Sequence, residues 1–140
     1  MSAPATPDEV NAYMASLGDF TGHGEIVVES ISDEGTVGLR WVYDESALRP
    51  GGYISGPTMF SVADLAGWVI VFANVGLEPM AVTWDLHITF LRPAIGGDII
   101  ATATTLKSGR KLVYADVTMH IDGQPEKPVA HATVTYALPN

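Results

Sequence analysis

The sequence predicts an α+β domain in which an antiparallel sheet of about six strands wraps one long central helix, preceded by a short N-terminal helix. Three observations carry that expectation. The stretch from Pro57 to Gly76 is apolar on nearly every helical face, six β-like runs flank it, two before and four after, and turn residues punctuate those runs at short intervals. With 140 residues, 47% of them hydrophobic, the chain is expected to form one domain over residues 1–140 around one core.

Thr6-Pro7-Asp8-Glu9 reads as an N-cap, a proline at the first helical position and a capping-box glutamate. Val10, Tyr13, Met14 and Leu17 follow at helical spacing, so a short amphipathic helix opens the chain. Gly18 to Gly24 reads as loop. Glu25–Ile31 and Thr36–Tyr43 are strand-like, and Ser32-Asp33-Glu34-Gly35 between them is a hairpin signal. Asp44 to Gly56 contains Pro50-Gly51-Gly52 and no periodicity, which predicts an irregular loop long enough to suspect function. Gly56-Pro57 then starts the long helix and Asn74 to Gly76 stops it, giving a rod of about 30 Å. Four further strands are expected over Ala81–Leu91, Asp98–Lys107, Lys111–Ile121 and Pro128–Leu138.

Composition excludes several classes. A net charge of −9 with seven Lys and Arg provides no basic footprint for nucleic acid or for anionic membrane. There is no cysteine, so disulfides, thiolate catalysis and Cys-type zinc sites are absent together. The N-terminal MSAPATPDEV has neither a basic region nor an apolar run, unlike a secretory signal, and a cytoplasmic location is expected. Pro57 to Val75 is long and apolar enough for a membrane span, but Asp64 lies inside it and its flanks lack the Lys and Arg that orient such spans. A helix buried in a sheet is the expected reading.

Asp64 is the one ionisable residue of the apolar helix. Burying a charge without partners costs several kcal/mol, about the scale of a whole domain's stability, so a carboxylate there is either functional or hydrogen-bonded to a neighbouring loop. Gly56 at the helix start offers a backbone N–H at the positive end of the macrodipole, suited to an oxyanion; the alternative is a plain Gly-Pro helix start. The two lie eight residues apart, about 12 Å along the axis. Lys107-Ser108-Gly109-Arg110-Lys111 gathers three of the seven basic residues at a hairpin tip, suited to phosphate or, alternatively, to solvated charges that keep a sheet edge from pairing. His23, His87, His120 and His131 show no metal-ligand spacing and read as structural. Ser55 sits in no GxSxG elbow. Trp68 and Phe72, four residues apart, read as core.

From Leu48 to Leu138 the chain resembles the small hotdog-fold thioesterases of the phenylacetate-degradation (PaaI-like) type. The likeness rests on RPGGYISGPTMFSVADLAG, AVTWDLHITFLRPAIGGDI, the SGRKL hairpin and the closing AHATVTYAL. That family shows Asn-x-x-Gly-x-x-His-Gly-Gly, six residues and an Asp; Gly52, Gly56 and Asp64 match it, whereas Arg49, Ser55 and Pro57 replace the Asn, the His and the last Gly. The resemblance implies a hotdog fold with Asp64 as catalytic carboxylate, Gly56 polarising the thioester carbonyl, Thr83 assisting the attacking water, and Gly109, Arg110 and Lys111 contacting CoA. Ser55 keeps a hydroxyl for part of the missing histidine's task, and Arg49 is available to an acidic acyl group or a CoA phosphate. It also implies a homodimer joined edge to edge with active sites at the interface, or a homotetramer of such pairs. The expected activity is hydrolysis of an acyl- or aryl-CoA thioester by a carboxylate, with no metal and no cofactor beyond the CoA of the substrate. The alternatives are a non-catalytic acyl-CoA sensor and an enoyl-CoA hydratase.

Overall fold

Thr6 starts the first helix, α1 (Pro7–Ser16), by reciprocal capping: Thr6 Oγ1 accepts the Glu9 N–H at 3.2 Å and Glu9 Oε1 accepts the Thr6 N–H at 3.1 Å. The computed structural model describes residues 4–140, so the first three residues of the N-terminal stretch lie outside the described residues. Val10 and Met14 are buried, and Asn11 docks the helix on the sheet twice over, donating to Val28 O and accepting from Val28 N. The sheet begins with the hairpin β1 (Ile26–Ile31) and β2 (Thr36–Trp41).

The stretch expected to be irregular is more ordered than its composition indicates. It holds a 3-10 turn at Glu45–Ala47 and a miniature hairpin, β3 (Leu48–Arg49) with β4 (Tyr53–Ile54), turned by Gly51 and Gly52 at φ of 89° and 80°. Two-residue strands are too short to show periodicity. They are held from outside, since Ile54 N donates to Ala94 O and Tyr53 bridges Ile95.

The long helix, α2 (Gly56–Val75), follows where it was expected, then β5 (Val82–Phe90), β6 (Ile99–Ser108), β7 (Leu112–Ile121) and β8 (Pro128–Ala137). The strands form one antiparallel sheet in the order β1-β2-β6-β7-β8-β5, with α2 against its inner face. Most of α2 is buried, which accounts for its membrane-like hydropathy by burial in the fold. The close approach of the sheet depends on Gly67: a Cβ there would stand 2.7 Å from Val134 Cγ2 and 2.9 Å from Tyr136 Cε1.

Covering of α2 is incomplete along one stripe. Pro57, Phe60, Ser61 and Asp64 recur at spacings of three to four and none is buried, Phe60 being 44% exposed. Beside the stripe runs β5, an edge strand with a bulge: Thr83 pairs Tyr136 and Asp85 pairs Thr135, leaving Trp84 as the extra residue. The bulge changes the side-chain alternation. Thr83 opposite Tyr136 and Leu86 opposite Val134 therefore share the face towards α2, although they are three residues apart. Val82 and Trp84 are 60% and 68% exposed on this edge.

On the outer face of the six-stranded sheet, Arg40 Nε donates to Glu29 and Arg40 Nη1 to Asp98 and Asp122, at 2.8 to 2.9 Å. Asp98 also accepts the Tyr43 N–H at 2.8 Å, and that hydrogen bond, with Arg40 behind it, lowers its pKa from 3.8. The folded chain therefore holds Asp98 ionised to lower pH than the unfolded chain does. This stabilisation is present at neutral pH and fades as acid protonates the folded carboxylate. Asp98→Asn should lower Tm at pH 7 and shrink the difference between variant and wild type progressively below about pH 4. A constant Tm difference down to pH 2, read by thermal unfolding, would remove this carboxylate from the acid response.

Candidate active site

Asp64 sits half-buried on the open stripe, two turns into α2, and its carboxylate is held from β5 and β8 together. Thr83 Oγ1 donates to Asp64 Oδ1 at 2.7 Å. Tyr136 Oη lies 2.8 Å from the same oxygen and 2.9 Å from the Asp64 backbone carbonyl, a forked donor spanning both. Burial first, and then the charge of Asp64, push the Tyr136 phenol above its ordinary value, so it stays a donor throughout the neutral range. Oδ1 is thus saturated, while Oδ2 accepts no hydrogen bond among the described residues. The bulge at Trp84 is what turns Thr83 towards the helix, and Gly67 is what lets Tyr136 reach it.

Asp64 borders two cavities that meet along the stripe. One, of about 730 Å³, has Tyr13, Phe20, Trp68, Thr83 and Tyr136 among its walls. Trp68 is its centre, with ring centroids 5.8 Å from Phe20, 6.0 Å from Tyr13 and 4.9 Å from the fully buried Phe72; both members of the pair expected in the core are buried there, and Trp68 also forms a wall of this cavity. The other, of about 530 Å³, runs past Ser61 to Gly56 and is walled by His23, Phe60, Ile88 and Phe90.

The start of α2 has an unusual supply of donors. Pro57 has no N–H, Ser55 Oγ accepts the Thr58 N–H at 3.2 Å, and Ser55 O accepts that of Met59. Gly56 is left as the residue of the first turn whose N–H has no partner among the described residues. The Ser55 hydroxyl serves as N-cap and touches Thr58 Oγ1 at 2.9 Å. A Cβ on Gly56 would stand 3.3 Å from the Phe90 ring, so the position is close-fitting without being strained.

The fold brings Gly56, Asp64 and Thr83 to one stripe, with Ser55 beneath its N-terminal end. Arg49 is exposed on the β3–β4 hairpin, and Gly109, Arg110 and Lys111 lie in the β6–β7 turn; none of the four lines the cavities that Asp64 borders. Sequence reasoning missed Tyr136, and it read His23, which lines the second cavity, as structural. The first lies 72 residues from its partner, and the second is a single histidine in a glycine-rich loop, so neither leaves a local signal.

A six-stranded antiparallel sheet gripping one long helix, with a tethered carboxylate on the helix's uncovered stripe, is the hotdog architecture. The sequence matches the Thioesterase superfamily over residues 51–128, and the chain belongs to that family. A crystal structure from a Silicibacter species, provisionally described as a thioesterase, is 33% identical and superposes with a TM-score of 0.86 over 100% of this chain and 96% of that one. A second, from Ralstonia eutropha and described provisionally as a phenylacetic acid degradation-related thioesterase, is 25% identical with a TM-score of 0.73 over 91% and 89% of the two chains. A Saccharolobus solfataricus protein, provisionally described as an esterase, is 28% identical over 63% of this chain; the match spans 58% of that relative's length.

Proposed function

We propose that the protein hydrolyses an acyl-CoA thioester, with Asp64 as the carboxylate that activates water or attacks the carbonyl. The observation that carries this reading is the asymmetric tethering of Asp64: Thr83 and Tyr136 occupy one oxygen and leave the other without a partner among the described residues, on a half-buried side chain that borders two open cavities. The free Gly56 N–H, at the positive end of α2, supports the complementary role of receiving the thioester oxygen. Thr83 orients the carboxylate by donating to it and keeps hydroxyl lone pairs to receive a hydrogen bond from the attacking water. The apolar cavity round Trp68 accommodates an acyl or aryl group.

Gly56 and Asp64 of one chain are about 12 Å apart along the helix, too far to serve one carbonyl carbon. The reading therefore includes a homodimer joined along β5, whose exposed Val82 and Trp84 are the apolar surface such a joint covers. In that arrangement the basic β6–β7 turn and Arg49 are available to CoA phosphates at the edge of the joint. No cofactor and no metal enters the scheme, and a cytoplasmic location accords with a CoA ester as substrate.

The test is release of free CoA from short-chain, long-chain and aryl acyl-CoAs by the purified protein, with its mass in solution measured alongside. Binding without release by any ester would replace the hydrolase with an acyl-CoA sensor. Tyr136→Phe should keep the fold and lower kcat about tenfold, the rate equivalent of losing roughly 1.4 kcal/mol of a charge-assisted hydrogen bond. An unchanged kcat would make the phenol a packing group.

A further inference from the structure

We propose that His23 is the second hydrogen-bond donor to the thioester oxygen, acting beside the Gly56 N–H. The inference rests on the hydrolase reading above and adds a catalytic residue to it. Its starting point is a shortage. Pro57 contributes no N–H, and the N–H groups of Thr58 and Met59 are both taken by Ser55, so the first turn of α2 offers the oxygen only Gly56. As the tetrahedral intermediate forms, the full negative charge builds on that oxygen, and one donor meets only part of it.

His23 supplies what is lacking. Half-buried, it lines the same 530 Å³ cavity as Gly56, its ring makes no hydrogen bond among the described residues, and it shares that cavity with the apolar Phe60, Ile88 and Phe90 and with Ser61 and Asp64. An acyl-CoA laid against Phe60, Ile88 and Phe90 would displace water from the donors, and each donor is worth more once that water is gone. The backbone beneath the ring is fixed. The buried Trp41 indole donates to His23 O at 2.8 Å, and the His23 N–H reaches Thr21 Oγ1 at 3.3 Å. Gly24, at φ 96°, packs so closely on the same indole that a Cβ would lie 3.0 Å from Trp41 Nε1. A loop pinned in this way presents the ring without the cost of ordering it on binding.

The step needs only an N–H on the ring. His23 donates a hydrogen bond to the carbonyl oxygen and transfers no proton; the proton of the attacking water goes to the Asp64 that the second chain of the proposed dimer brings to that carbonyl, and the C–S bond breaks as the oxyanion collapses and CoA thiolate leaves. The experiment compares wild type, His23→Ala and His23→Gln on whichever CoA ester the wild type turns over fastest. His23→Ala should lower kcat about 10²-fold with KM near that of wild type, and His23→Gln, which keeps an N–H, should regain part of the loss. A kcat for His23→Ala within twofold of wild type, or equal losses in both variants with a lowered Tm, overturns the assignment. A wild type that releases no CoA from any ester overturns the hydrolase reading itself, whereas an active wild type indifferent to position 23 overturns only this inference.

Discussion

Asp64→Asn should lower kcat for a CoA thioester by about 10³-fold while leaving the protein folded. The amide has the size of the carboxylate, and its oxygen can still accept from Thr83 and Tyr136 at 2.7 and 2.8 Å. What disappears is the charge and the free oxygen: an amide neither takes a proton from water nor attacks a carbonyl. Tm should match or exceed that of wild type, because a half-buried charge is removed and its donors keep an acceptor. Circular dichroism melts beside single-turnover CoA release separate the two effects. A kcat within tenfold of wild type would leave Asp64 as a structural acceptor and dismiss the carboxylate mechanism.

The largest effect on stability is expected at Gly67. In an exposed helix, alanine would gain about 1 kcal/mol over glycine. Here the new Cβ meets two Val134 methyls at 2.7 and 2.9 Å and the Tyr136 ring at 2.9 Å, all within a packed core. Overpacking of this kind costs roughly 1–3 kcal/mol, which equals or exceeds the propensity gain. Gly67→Ala should therefore lose up to about 2 kcal/mol in denaturant unfolding. The same displacement moves Tyr136 away from Asp64, so kcat should fall as well. A variant as stable as wild type would mean that β8 can retreat without cost.

The parts of the fold legible in the sequence were those written locally. Thr6 to Glu9 carry a complete capping signal, α2 is bounded by Gly56-Pro57 and Gly76, and the six strands of the main sheet fall within one or two residues of the apolar runs that predicted them. Tyr43, expected in β2, instead gives its N–H to the Asp98 side chain, a partner 55 residues away. The β3–β4 hairpin escaped notice for a similar reason, being fastened by Ala94 and Ile95. Within the site, Asp64 stood out as a charge among apolar neighbours. Its setting did not, because strict alternation would put Thr83 and Leu86 on opposite faces of β5, and only pairing with β8 reveals the bulge that unites them. Covering all round was also expected for α2, whereas the sheet leaves the Pro57–Asp64 stripe open.

The place of α2 in the chain has a consequence during synthesis. The helix is complete at Val75, but four of the strands packed on it, β5, β6, β7 and β8, are made afterwards, the last ending at Ala137. At ribosomal rates of about 5–20 residues per second, those 62 residues leave the most apolar stretch of the protein waiting roughly 3–12 seconds for its cover. A nascent chain in this state is a natural client for holding chaperones. Asp64 then has work to do before any substrate arrives: a carboxylate in mid-segment makes insertion of the waiting helix into a bilayer costly by about 2.5–3.5 kcal/mol.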